Sequence, residues 1–230
     1  MNMKSSTRIL LLAVVMVFPV LHTGCDTVQE RLSITPNHLL MKKGDLAYRY
    51  NRYEEAADYY KQVLDREPGN QNALVSYGKT MMKLGEPAKA ASAFHTAAMA
   101  DPDDADLVYM LAKAEVESGQ YDRAFRLLQT RGSDNADPKA WILLAEYALQ
   151  LDDPDTASTA IHRAIEIDGE NSAEPYLKAA DLAERLGNDN EALRRLRQAY
   201  GRDPNNEQVE KRLREYGEIP GPSIALEPGN

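Results

Sequence analysis

Apolar residues in this chain recur at helical spacing in short, paired runs. Between Gln71 and Asp104, Leu74, Tyr77, Gly78 and Met81 share one face of a 3.6-residue period, and Ala90, Phe94, Ala97 and Ala98 do so again after a break. Polar residues fill most other positions, which predicts two amphipathic helices. Gly85 and Glu86-Pro87 interrupt them. Asp101-Pro102 ends the second, because proline has no N–H to donate and disfavours the helical region for the residue before it.

That pattern repeats along most of the chain. Ala56, Ala90, Ala124, Ala157 and Ala192 follow one another at intervals of 34, 34, 33 and 35 residues. A small residue stands twelve positions before each (Gly44, Gly78, Ala112, Ala145, Ala180), and a large apolar one four positions after (Tyr60, Phe94, Leu128, Ile161, Leu196). The small residue lets the two helices of a hairpin pack closely, and it is expected to meet the recurring alanine. One hairpin cannot cover its own apolar face, so five are expected to stack. Val209, Leu213 and Tyr216, within the otherwise polar Glu207–Tyr216, predict a helix that closes the stack. From Gly217 onward Pro220, Pro222 and Pro228 alternate with glycines, and residues 218–230 are expected to be a disordered tail.

A period of 34 residues carrying W-x2-LG-x2-Y…A-x3-F…P resembles the tetratricopeptide repeat. The units run Asn37–Asn70, Gln71–Asp104, Ala105–Asp137, Pro138–Ser172 and Ala173–Asn206, with a cap over 207–217. The tryptophan slot holds Leu40, Leu74, Val108, Trp141 and Tyr176, so the fourth unit alone has the consensus residue. The resemblance implies an all-α solenoid of five helix-turn-helix repeats and a C-terminal capping helix. It also implies that the concave face, made by the first helix of each unit, binds an extended or helical peptide. On that face positions five and twelve carry Val75, Met82, Tyr109, Val116, Ile142 and Leu149, with Lys79 and Lys113 between them at position nine. These eight residues are the expected peptide-binding strip; partly buried packing is the alternative use of the same positions. The carboxylate clamp of chaperone-binding members is absent, since Met41, Asp45, Ser76, Asp106 and Met110 occupy its slots.

The start of the chain is of another kind. Lys4 and Arg8 precede the apolar run Ile9–Leu21, which contains Pro19 and is followed by small residues and Cys25, the one cysteine. This reads as a signal peptide over 1–24, too short for a comfortable transmembrane span. Leu21-His22-Thr23-Gly24-Cys25 resembles the bacterial lipobox, with His22 where leucine is usual. The resemblance implies lipid attachment at Cys25, a tether over 25–36, and a periplasm-facing protein anchored at the bacterial cell envelope. Asp26 resembles an inner-membrane retention signal, and inner and outer membrane both stay open. An ordinary or uncleaved signal sequence is the alternative.

Charge narrows the partners. With 27 basic and 36 acidic residues the chain carries −9, or −11 once Lys4 and Arg8 leave with the signal peptide. An acidic repeat domain without a basic stripe is a poor nucleic-acid binder, so none is expected. His38, His95 and His162 lie far apart in sequence with no metal-binding spacing, and no phosphate loop or nucleophile elbow occurs. Catalysis, cofactor and metal are therefore not expected. What remains is a lipid-anchored, peptide-binding scaffold for an envelope machine such as a pilus, secretion or polymer-export system; the alternative is a self-associating structural protein.

Unit three breaks the pattern. Position 27, apolar or small elsewhere, is Arg131, with Gly132 after it. A guanidinium is costly to bury unpaired. The second helix is therefore expected to end near Gln129 or Thr130, residues 131–137 to form a loop, and the junction of units three and four to be the weakest in the stack.

Overall fold

The computed structural model describes residues 35–168 and 170–227; the expected signal peptide and Cys25 lie outside them. Eleven helices follow one another in pairs, with no strand among the described residues. They are α1 Asn37–Arg49 and α2 Tyr53–Arg66, α3 Gln71–Lys83 and α4 Pro87–Ala100, α5 Ala105–Glu117 and α6 Tyr121–Asp134, α7 Pro138–Gln150 and α8 Pro154–Asp168, α9 Glu174–Arg185 and α10 Asp189–Arg202, and then α11 Glu207–Glu215. Each pair is one unit of the 34-residue period, and each packs on the next.

Local sequence sets both ends of the first helices. The last residue of one unit caps the first helix of the next: Asn70 accepts from the Ala73 N–H, Asp104 from Leu107, Asp137 from Lys139 and Ala140, and Asn206 from Gln208 and Val209. Position fifteen, in the turn between paired helices, is left-handed in every unit: Asn51, Gly85, Gly119, Asp152 and Gly187 have φ of 58°, 72°, 80°, 61° and 70°. Glycine, asparagine and aspartate tolerate that region better than other residues, which explains what stands there.

The small residue at position eight makes a contact beyond the one expected. A Cβ on Gly44 would lie 2.5 Å from Tyr60 Cε1, and one on Gly78 2.5 Å from Phe94 Cε1. Glycine thus faces an aromatic ring in units one and two. Ala112, Ala145 and Ala180 stand opposite the smaller Leu128, Ile161 and Leu196 in the other three, all of them buried. The two positions compensate in volume, as close packing requires.

Two expectations are corrected. α6 does not end near Gln129 but continues to Asp134, and residues 131–134 are helical. Arg131 can stay in the helix because it is not unpaired: its Nε lies 2.9 Å from the Asp137 carboxylate, its Nη1 donates to the Asp103 carbonyl, and both side chains of the pair are largely buried. Gly132 is the space for the lone tryptophan, since a Cβ there would sit 2.5 Å from Trp141 Nε1. The junction of units three and four is therefore pinned by an ion pair and an inserted ring rather than loosened.

The tail also has a placed course, as far as Glu227. Leu226 N–H donates to the Arg197 carbonyl, Gln198 Nε2 to the Glu227 carbonyl, and Glu218 pairs with Arg197. Gly201 permits this approach, because a Cβ there would lie 2.7 Å from the Leu226 carbonyl oxygen. Proline and glycine content points to disorder; backbone and charged contacts to α10 hold the segment instead. The cap forms as expected, with Val209 and Leu213 fully buried.

Candidate peptide-binding groove

Helices α1, α3 and α5 present their free faces side by side. Between them lies a pocket of about 230 Å³, lined by Tyr48, Lys79, Met82, Lys83, Phe94, Met110, Lys113 and Glu117. A wider trough of about 890 Å³ adjoins it, reaching Met41, Asp45, Val75, Ser76 and Asp106. Lys79 and Met110 line both, so the two form one inner groove across units one to three.

The expected strip divides. Lys79, Met82 and Lys113 line the pocket, and Val75 lines the trough. Val116 and Ile142 are buried in the core, and half-buried Leu149 packs against the same cluster. Tyr109 is half-buried beside the groove: its hydroxyl donates to Asp137 and Lys139 Nζ lies 4.5 Å above its ring. Burial first, and then the Asp137 hydrogen bond, push the Tyr109 hydroxyl well above the usual tyrosine range. In the same node burial raises the Asp137 carboxyl, yet hydrogen bonds from Tyr109 and Arg131 hold it below its ordinary value.

Sequence reasoning missed Tyr48, Lys83, Met110 and Glu117. Tyr48 stands at position twelve of unit one, which the strip across units two to four left out. In unit three the lining residue is Met110 at position six rather than Tyr109 at position five, and Lys83 and Glu117 stand at position thirteen. One residue is about 100° of helix, so a fixed register across units loses the groove wherever a helix is slightly rotated.

Charge distinguishes this groove from the rest of the inner surface. Among the described residues no carboxylate comes within 4.0 Å of Lys79 or Lys83, and Lys113 has only Glu117, at 3.9 Å. Asp45 is occupied at 2.8 Å by the Tyr60 hydroxyl. In units four and five, by contrast, Glu146 pairs with Lys178 at 2.6 Å, Asp181 and Glu184 pair with Arg212 at 2.7 and 2.9 Å, and Tyr216 bonds Glu184. Among the described residues there is no cluster of metal-ligating side chains, and no helix is long and apolar enough to cross a membrane. His95 and His162 are exposed.

Tetratricopeptide repeat families match residues 47–114, 84–147 and 138–171, together more than half of the sequence. The chain belongs to the tetratricopeptide repeat family. Protein O-mannosyl-transferase TMTC3 of Homo sapiens is 31% identical over 96 residues, 40% of this chain and 10% of that protein. The Mus musculus protein of the same name is 33% identical over 87 residues. The chain thus spans about a tenth of the length of the curated relatives it matches. Among solved structures, MamA superposes with a TM-score of 0.58 at 23% identity over 81% of this chain and 98% of its own. PilW, a widely conserved type IV pilus biogenesis factor, gives 0.56 at 17% identity over 82% and 89%. TTC0263, a thermophilic tetratricopeptide protein of Thermus thermophilus, gives 0.51 at 19% identity over 78% and 98%. At these identities the likeness is one of fold.

Proposed function

We propose that this chain is a protein-interaction scaffold without catalytic chemistry of its own, and that its partner enters the inner groove of units one to three. The observation that carries the reading is the excess of cations around an apolar pocket: Lys79 and Lys83, with no carboxylate partner among the described residues, and Lys113, held only by Glu117 at 3.9 Å, surround Tyr48, Met82 and Met110. The complementary ligand is a peptide segment that inserts an apolar side chain and flanks it with carboxylates. Burial of the side chain supplies affinity, and the lysines supply orientation and encounter rate.

We further propose that lipid on Cys25 holds the scaffold at a bacterial envelope, where it serves the assembly of a machine such as a pilus. The basic n-region, the apolar run and the isolated cysteine support the anchor. The fold likeness to PilW supports the setting.

Selection of a random peptide display library on the purified chain tests the groove. The expected consensus is an apolar residue flanked by Asp or Glu, and Lys79→Glu with Lys83→Glu should abolish its capture. Selected peptides that bind the double variant equally well would place the site elsewhere. The anchor has a separate test, mass spectrometry of the mature N-terminus: an unmodified start other than Cys25, or membrane retention of Cys25→Ser, overturns lipidation.

A further inference from the structure

Helix α1 carries three faces. Leu40, Gly44 and Ala47 enter the core, while Met41, Asp45 and Tyr48 line the groove. The third face holds Leu39, Lys42, Lys43, Leu46 and Tyr50, with Arg49 at its border with the groove, all exposed and within about 120° of the helix circumference. Leu39, Leu46 and Tyr50 are 41%, 44% and 68% exposed.

The repeat explains why this face is open. Leu39 and Leu46 stand at positions three and ten, where later units put residues that pack on the preceding hairpin. Ala73, Leu107 and Ala140 at position three, and Thr80 and Ala114 at position ten, are fully covered. Ala73, for example, packs with Val63 of the unit before it. Among the described residues no hairpin precedes unit one, and its leucines are exposed. The opposite end is finished differently: the outer side of α11 exposes Glu207, Gln208, Lys211, Arg214 and Glu215.

Charge marks the open face as well. From Asn37 to Tyr53 there are four basic residues, Lys42, Lys43, Arg49 and Arg52, and one acidic residue, Asp45, in a chain whose net charge is −9. Asp45 points into the groove, where the Tyr60 hydroxyl holds it. The remaining face of α1 carries only cations around exposed leucine and tyrosine; Arg52, in the turn after it, stacks on the Tyr50 ring at 5.9 Å and pairs with exposed Glu55 at 3.0 Å.

We infer that this end of the solenoid docks on an anionic membrane surface, with Leu39, Leu46 and Tyr50 entering the headgroup layer and Lys42, Lys43, Arg49 and Arg52 meeting lipid phosphates. The physics is that of an interfacial amphipathic helix, where apolar burial and attraction to anionic lipid add. Each basic residue near such a surface strengthens association roughly fivefold, an effect that salt screens. Position in the chain supports a membrane over other occupants. Eleven residues, Asp26–Pro36, separate Cys25 from α1, a reach of about 36–40 Å at full extension, so α1 is the part of the solenoid held nearest to whatever the apolar run enters. In this respect the inference rests on the anchor reading. Docking at α1 would fix the solenoid against the bilayer with the groove of units one to three close to the surface.

The test uses the full chain with vesicles of phosphatidylglycerol or of phosphatidylcholine. Flotation reports the anchor, and acetylation of lysines read by mass spectrometry reports the face, with Lys61 and Lys211 as references. Lys42 and Lys43 should be protected several-fold on phosphatidylglycerol and not on phosphatidylcholine, and 0.5 M salt should remove most of the protection. Arg49→Glu with Arg52→Glu, or Leu46→Asp, should abolish it while flotation and helical content stay unchanged. Flotation without protection overturns the docking and leaves the anchor standing. Protection on anionic vesicles alone, with no flotation on neutral ones, supports the docking and overturns the anchor. Failure to associate with either vesicle overturns both. Protection in free chain without vesicles assigns the face to residues before Thr35, and protection that grows with protein concentration assigns it to a second copy; either overturns the inference.

Discussion

The inner surface of units one to three and that of units four and five use the same repeat positions to opposite ends. In the first half Lys79 and Lys83 have no carboxylate partner among the described residues, and they border a pocket floored by Met82 and Met110. In the second half Glu146, Lys178, Asp181, Glu184 and Arg212 pair with one another across successive helices. Fold is indifferent to the choice, since both halves stack alike. Capacity to bind is not, because charges already paired across neighbouring helices have little left to offer a ligand, whereas an unpaired lysine beside an apolar pocket does. The boundary between the halves is the node of Tyr109, Asp137 and Arg131 beside Trp141.

The largest expected effect comes from breaking that boundary. Asp137→Ala removes the α7 cap, the acceptor of Tyr109 and the partner of largely buried Arg131, and should cost about 3 kcal/mol in denaturant unfolding. Trp141 fluorescence should lose its transition earlier than helical circular dichroism does. Coincident transitions would mean that the two halves unfold as one body despite the lost node.

Gly78→Ala should cost about 2 kcal/mol, because the new methyl meets the Phe94 ring, and adding Phe94→Leu should recover most of it. The double variant would copy the alanine and leucine pairing of unit three. In the second half the reverse exchange, Ala145→Gly, should cost no more than about 1 kcal/mol, chiefly in helix propensity.

Truncating the groove cations is milder. Lys79→Ala with Lys83→Ala should weaken a selected acidic peptide about tenfold, some 1.4 kcal/mol, in a calorimetric titration. Lys178→Ala should leave the same titration unchanged. Its own effect on stability should be about 0.5 kcal/mol, as for a half-exposed pair. A weakened titration in the Lys178 variant would erase the distinction between the halves.

Acid should act through carboxyls that fold into cationic company. The Glu191 carboxyl is held down to about 2, first by its hydrogen bond from Arg194, and Asp137 is held below its ordinary value as described above. A carboxyl depressed on folding contributes stability above its unfolded pKa, about 4, and that contribution is lost as pH falls through the folded value. Unfolding free energy should therefore decline from about pH 4.5 downward, and Glu191→Gln should flatten part of that decline.

How far these features can be read along the chain depends on their range. The hairpins, their turns and the cap follow from neighbours three, four or twelve residues apart, and those spacings are printed in the sequence. Arg131 reads wrongly along the chain because its partner Asp137 belongs to the cap of the next helix, and Gly132 because Trp141 arrives from the next unit. The tail reads as disordered because its partners, Arg197 and Gln198, stand 21 and 29 residues before Glu218 and Glu227. Half of the binding strip is legible because position nine faces inward in units two and three, and the apolar positions five and twelve do so in unit two. In unit three the lining shifts by one residue to Met110 and Glu117, which a fixed register cannot anticipate, and in unit four Ile142 and Leu149 are taken up by the core.

The sequence by itself determined the period, the helix boundaries at caps and left-handed turns, the five-unit stack and the acidic balance, because all of these are set by local propensity and by the pattern of apolar positions. Only the tertiary structure decided which lysines remain without partners among the described residues, which apolar positions become groove rather than core, and which end of the described stack exposes its leucines. Those outcomes depend on what an adjacent helix brings within about 4 Å, and each helix's rotation against its neighbour settles that after the local pattern has already been satisfied.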